Sequence, residues 1–171
     1  MTDFRLQSTG ATPEERFRAL FAHHYPAVYR YAGRRLGREE AADAAAEAFT
    51  VAWRKIAHVP PEPETLPWLY GVARRVVANA ERGRRRRERL AARAALDGEA
   101  SAAGADPAGV IAALQSLRPE DREVLRLAAW EGLDPRGMGL VLGCSPNAAA
   151  IRLHRARRRL EEALDDTEGE P

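Results

Sequence analysis

Arginine is the residue type here with the means to do chemistry, and it comes in two blocks. From Arg74 to Arg93 nine arginines stand against two acids, Glu81 and Glu88. From Arg152 to Arg159 five arginines stand with no acid among them. A guanidinium is planar and always charged, and it donates two bonds at once to a phosphate or to the edge of a guanine. Six acids follow between Glu161 and Glu170, so the net charge of the 171 residues is only +2. Two basic blocks with compensating acid elsewhere point to two separate phosphate-binding surfaces.

Other chemistries find no footing. There is no GxxxxGK[ST] loop to cradle a nucleotide and no HExxH, and the neighbours His23 and His24 face different directions on a helix. Cys144 stands alone, so neither an internal disulfide nor a CxxC metal site can form. No cofactor and no enzymatic activity are expected. Apolar runs fall short of the roughly 20 residues that span a bilayer, and the N-terminus lacks the layout of a signal peptide. A soluble cytoplasmic protein with no membrane insertion is expected.

The elements that must position the arginines are helices, because β-branched and aromatic residues are thin beside alanine, leucine and arginine. Residues 1–10 carry no pattern and are expected to be loose. Thr12-Pro13-Glu14-Glu15 reads as a capped helix start with a capping box. Phe17, Leu20, Phe21, His24, Val28 and Ala32 follow as its core stripe, with Pro26 expected to kink or divide the helix. A second helix runs from Arg38 to about Ala57, with Ala42, Ala45, Ala46, Phe49, Ala52, Trp53 and Ile56 as its buried side. Pro60, Pro61 and Pro63 make a stiff loop. Thr65 is placed to cap a third helix whose apolar stripe is Leu69, Val72, Ala73, Val76, Val77 and Ala80, with Arg74, Arg75, Arg82 and Arg85 off that stripe or beyond it. Three helices suffice for one small bundle.

Residues 94–106 are small, acidic and unpatterned, and read as a flexible linker. Asp106-Pro107, Asp134-Pro135 and Ser145-Pro146 then repeat a cap-then-proline helix start, and Pro119-Glu120-Asp121 opens a further helix. The chain is thus expected to be all-α, with a three-helix domain at 11–93, a linker at 94–106 and a four-helix domain at 107–165. Asp134 to Leu164 has the layout of a helix-turn-helix, its turn at Gly143-Cys144-Ser145. In such a unit the second helix enters the major groove. Ala149, Leu153, Ala156, Leu160 and Leu164 would pack inward, while Arg152, Arg155 and Arg159 share another face and would meet phosphates or bases.

The stretch LRPEDREVLRLAAWEGLDPRGMGLVLGCSPNAAAIRLHRARRRLEEAL resembles the promoter-reading C-terminal domain of bacterial sigma factors. FAHHYPAVYRYAGRRLG, EEAADAAAEAFTVAWRKI and LPWLYGVARRVVANAERGRRRRER resemble their N-terminal core domain. With both halves in this order and a short linker, the chain resembles an extracytoplasmic-function (ECF) sigma factor over roughly residues 13–164. The resemblance implies core RNA polymerase (its β′ clamp helices and β flap) and promoter DNA as partners. An anti-sigma factor accompanies most relatives, although no residue here identifies one. It implies that Asp43, Glu47, Phe49 and Trp53 dock on polymerase, with Ala46 standing where relatives usually carry a polar residue. It assigns the −10 element and its opening to Trp68, Arg74, Arg75, Asn79, Arg82 and Arg85, with Trp68 either a stacking platform or a core residue. It assigns the −35 element to Ser145, Asn147, Ala148, Arg152, Arg155 and Arg157. Ala148 and Ala150 replace residues that are often larger or charged in relatives.

Two rival classes besides an enzyme are open to test. A stand-alone helix-turn-helix regulator would account for the second half but would not need the second helix, the proline loop and the first arginine block. A protein adaptor would use the helices as scaffold, and its binding would not weaken with salt.

Overall fold

Thr12 starts the first helix as its spacing predicts. Its hydroxyl accepts from the Glu15 amide at 3.2 Å, and the Glu15 carboxylate accepts from the Thr12 amide at 2.8 Å. The computed structural model describes residues 11–94 and 113–168, and the expectations for residues 1–10, for the linker beyond Ala94 and for the Asp106-Pro107 cap lie outside them. Helix α1 spans Pro13–Leu36, α2 Arg38–Arg54, and α3 Thr65–Ala94, with a short 3-10 turn at Ile56–His58 between the last two. Residues 113–116 are helical; α4 then spans Pro119–Ala129, α5 Pro135–Leu142 and α6 Pro146–Glu168. Among the described residues there is no strand, as the composition predicts. Residue contacts divide the chain into two units.

In the first unit α1, α2 and α3 pack on one another. Leu20, Val28, Tyr31, Ala32 and Leu69 are fully buried at the centre, and the Tyr31 and Tyr70 rings stack with centroids 5.1 Å apart. Pro26 does not divide α1. Burial of Leu20 and His24 before it and Val28 and Tyr31 after it holds both halves against the same neighbours, which offsets the amide that proline lacks.

The second helix is rotated from its expected phase. Ala41, Ala44, Ala45, Ala48, Phe49 and Ala52 are its buried residues, whereas Ala42, Ala46 and Trp53 are exposed. Alanines on both sides of α2 give the apolar pattern no contrast, so periodicity alone could not fix which of them face inward. Thr65 also departs from expectation. It is the first residue of α3 and is fully buried, and its hydroxyl donates to the Pro60 carbonyl at 2.8 Å instead of capping the helix.

In the second unit α6 packs against both α4 and α5. Val124, Leu127, Met138, Val141, Ala149 and Ala156 are buried there. Asp121, near the start of α4, is 6% exposed. Its carboxylate accepts from Arg118 Nε at 3.0 Å and from Arg159 Nη1 at 2.8 and 2.9 Å. Burial alone would raise the Asp121 pKa. The hydrogen bonds and charges of Arg118 and Arg159 outweigh it and hold the group below its ordinary value. Arg159, expected to face nucleic acid, is therefore committed to the fold.

A folded pKa below the unfolded one stabilises at pH above the unfolded value, and the contribution fades as pH falls through the folded pKa. Asp121→Asn is accordingly expected to cost the second unit about 1–2 kcal/mol, at the low end for charged hydrogen bonds because the arginines are partly exposed. Denaturant unfolding at pH 7 measures that cost, and the gap to wild type should shrink as the pH falls below the ordinary carboxylate value of about 4 and through the lowered folded pKa. An equal gap across that range would show that the ion pair contributes nothing.

Candidate nucleic-acid and polymerase interfaces

Three surfaces carry the candidate residues. The first lies on α1 and α2. Asp43 and Glu47 are exposed one turn apart on α2. Beside them Phe17, Phe21, Ala46, Phe49, Thr50 and Trp53 line an open cleft of about 640 Å³. Phe21 and Trp53 are each 40% exposed, and Phe49 is 2% exposed. Phe49 therefore forms the cleft's floor, its ring 4.9 Å from Phe21 and 6.3 Å from Phe17. Trp53 stands edge-on to Phe17 at 5.2 Å. Phe17 and Phe21 were expected in the core, but they belong to this surface cluster. Spacing could not separate them from the core: at 3.6 residues per turn Phe17 falls between His24 and Val28 on α1, and Phe21 lies beside Val28.

The second surface lies on α3 and the proline loop. Trp68, Arg75, Asn79 and Arg82 follow at steps of seven, four and three and so share one side of the helix. Arg75, Asn79 and Arg82 are exposed there, with Trp68 half-buried at the end nearest the loop. The Arg82 guanidinium donates to Asn79 Oδ1. Arg74, half-buried, and Arg85, exposed, lie on the adjoining flank.

The loop itself is fastened at three points. Arg16 donates to the Ile56 carbonyl at 3.2 Å, Thr65 bonds Pro60, and His24 Nε2 lies 3.0 Å from Glu62 Oε1. Burial lowers the His24 pKa, with the Glu62 carboxylate opposing that shift and His23 adding to it. Sequence reasoning missed His24 as an anchor of this loop, since nothing in spacing reveals a contact across tens of residues, and it gave Thr65 the role of a cap instead of the bond to Pro60.

The third surface is the helix-turn-helix. Asp134 caps α5 by accepting from the Gly137 amide at 2.7 Å, and Ser145 caps α6 by accepting from the Ala148 amide at 3.2 Å. The turn between them depends on two glycines. Gly143 ends α5 in the left-handed region at φ +67°, which glycine adopts without strain. Gly139 sits against the turn so closely that a β-carbon there would lie 2.7 Å from the Cys144 carbonyl oxygen. Beyond the turn Asn147, Arg152, Arg155 and Arg157 are exposed and Ala148 is half-buried. The Ser145 hydroxyl, one of the expected DNA contacts, is used by the cap.

Comparison with known proteins decides what these surfaces belong to. The family model for sigma-70 region 2 matches residues 20–87, and that for sigma-70 region 4 matches residues 109–160. The RNA polymerase sigma factor CarQ of Myxococcus xanthus is 32% identical over 161 residues, covering 91% of this chain and 92% of that protein. The chain belongs to the ECF sigma factors. A probable RNA polymerase sigma factor, RfaY of Xanthomonas campestris, is 34% identical over 134 residues, 71% of this chain and 33% of that protein. Among solved structures, CnrH in complex with the cytosolic domain of CnrY is 25% identical with a TM-score of 0.63, covering 90% of each chain. The sigma factor RpoE from Bartonella quintana, in complex with the anti-sigma factor NepR, shares the fold at 22% identity and the same TM-score, over 87% of this chain and 96% of that one. As an ECF sigma factor the protein binds core RNA polymerase and promoter DNA in transcription initiation. A stand-alone regulator would leave the match over residues 20–87 without a role.

Gly139→Ala forces the turn backbone to move, at an expected cost of about 1–3 kcal/mol, the usual penalty for overpacking. Unfolding of the full chain measures that cost, and promoter binding by the reconstituted holoenzyme should fall with it. Unchanged stability would show that the turn has room to spare.

Proposed function

We propose that the sigma factor divides its work among the three surfaces. Asp43, Glu47 and the aromatic cleft at Phe49 and Trp53 dock on the β′ clamp helices of polymerase. The carboxylates meet cations of the partner, while the exposed rings of Phe21 and Trp53 lose water on contact. Phe49 contributes from beneath, by holding those rings in place. What supports this reading is an acidic face and an apolar cleft side by side on one helix pair.

The −10 element falls to α3 and its loop. Opening a duplex requires cations along the displaced strand and a platform for an unstacked base. Arg75, Arg82 and Arg85 supply the first, with Arg74 on the flank. Trp68, half-buried beside the loop, is placed to supply the second, with Asn79 available for a base edge. The −35 element falls to α6, where Asn147 and Ala148 approach base edges and Arg152, Arg155 and Arg157 meet phosphates or guanine. Ser145 acts there through the helix start, whose amides and dipole attract phosphate.

Residues 11–93 act as region 2, residues 107–165 as region 4, and residues 94–106 as the connector. The β flap of polymerase is the expected seat of the second unit. CnrH is complexed with the cytosolic domain of CnrY, which supports a regulatory protein partner here, an anti-sigma factor. The protein works as a non-catalytic factor in the cytoplasm, where polymerase and DNA are. No described helix is long and apolar enough to cross a membrane.

Two measurements test these assignments. The double substitution Asp43→Ala and Glu47→Ala, on exposed positions, should weaken core polymerase binding about tenfold, equivalent to about 1.4 kcal/mol, without altering thermal unfolding. Undiminished binding removes the acidic face from the interface. Arg155→Ala should reduce the salt dependence of promoter binding by about one unit of slope. A slope identical to wild type means that Arg155 touches no phosphate.

A further inference from the structure

Helix α6 carries a large apolar side chain on its outward face. Its inward side is built from Ala149 and Ala156, both fully buried, and the half-buried Leu153 and Leu160. At 3.6 residues per turn, the line opposite that side runs through Asn147, Ile151 and Arg158, with His154 and Arg155 flanking it. All five are exposed, and Ile151 is 44% exposed. A single exposed isoleucine is ordinary on a protein surface. Here it stands in the second turn of the recognition helix, among Asn147, His154, Arg155 and an Arg158 that shares its charge with Glu162 at 3.2 Å. That surround complements a polyanion, and the position is among those that reach base edges when such a helix lies in the major groove.

An aliphatic side chain has no hydrogen bond to offer a base. The feature of the major groove that it complements is the 5-methyl group of thymine. We propose that Ile151 is a specificity-determining residue that packs on a thymine methyl group in the −35 element. This rests on the reading of α6 as the helix that enters the groove. Ala148, one turn earlier and half-buried, extends the apolar surface toward the neighbouring base pair. Cytosine at the same place lacks the methyl and turns an amino donor toward Ile151, which leaves that donor unsatisfied. The arginines set register through phosphates, and Ile151 discriminates between the pyrimidines.

The test uses holoenzyme assembled from the full chain and core RNA polymerase. It first selects from a duplex library randomised over the −35 region. The enriched element is then remade with deoxyuridine in place of each thymine in turn, which deletes a methyl group and nothing else. One such replacement should weaken wild-type binding about fourfold, the factor that burial of one methyl is worth. The same replacement should leave Ile151→Ala unaffected, and Ile151→Val should keep part of the response. Because Ile151 is exposed, thermal unfolding of both variants should match wild type. An enriched element without thymine, indifference of wild type to every replacement, or an undiminished response in Ile151→Ala overturns the proposal. If the −35 region yields no enriched sequence while DNA is still bound, the reading of α6 itself fails and the methyl contact fails with it. If a sequence is enriched and Arg155→Ala weakens it, but no methyl matters, only the role of Ile151 is lost.

Discussion

Helices approach one another only as closely as the residues between them allow, and both units of this sigma factor depend on close approach. In α2 the inward row is Ala41, Ala44, Ala45, Ala48 and Ala52, each 6% exposed or less. In the helix-turn-helix it is Ala149 and Ala156, fully buried, with Gly139 against the Cys144 carbonyl. Small residues bury little area each and so contribute little apiece. Their role is to bring backbones together, while Tyr31, Phe49, Leu20, Leu69 and Met138 supply the bulk that fills each core. With the inward rows kept small, the long side chains of α2 and α6 are displaced to the outward side. There they form the surfaces described above.

The same division governs the arginines. Those that hold the fold are matched to partners the domain can provide. Arg16 bonds the Ile56 carbonyl. The Arg35 guanidinium lies 3.5 Å above the Tyr31 ring and bonds the Tyr31 carbonyl. Arg159 is held by Asp121. Arg75 and Arg85 on α3 and Arg152, Arg155 and Arg157 on α6 remain exposed. Carbonyls and rings anchor a guanidinium without neutralising its charge. Asp121 is an acidic partner, and it engages one arginine of the second block to fix α6 against α4. Within that block Arg159 is held by Asp121 and Arg158 is paired with Glu162.

Much of this was legible in the sequence, and the part that was not has identifiable causes. The caps at Thr12, Asp134 and Ser145 are short-range chemistry, fixed within three residues, and they read correctly. So does the apolar stripe of α3, where valine and leucine contrast with arginine. The phase of α2 did not, because alanine occupies both its inward and outward sides and only packing decides between them. Arg159 belongs to an unbroken basic run, and its commitment to Asp121 crosses 38 residues. Thr65 was mistaken for a cap because a hydroxyl at a helix start usually accepts, whereas here the folded loop offers it the Pro60 carbonyl. Phe17 and Phe21 were assigned to a core because their spacing on α1 sets them beside His24 and Val28.

The contacts that hold the sites and the contacts that the sites make respond differently to salt. The proline loop is fastened by Arg16 and Thr65 to backbone carbonyls, and by His24 against Glu62. His24 is 3% exposed and lies against Glu62 with its pKa lowered chiefly by burial. Interactions of this kind depend little on ionic strength. The exposed guanidinium groups of α3 and α6 act on phosphate through a field that salt screens within about 10 Å at 0.1 M, and each phosphate contact releases a counterion. A rise in salt therefore weakens the grip on DNA while leaving the loop, the turn and the helix starts in place. Asp121 with Arg159 is a structural contact open to screening, since Arg159 is 38% exposed. It lies on the side of α6 that faces α4, away from the line of Asn147, Ile151 and Arg158. Ionic strength can thus set how tightly the protein holds a promoter without altering which residues it presents.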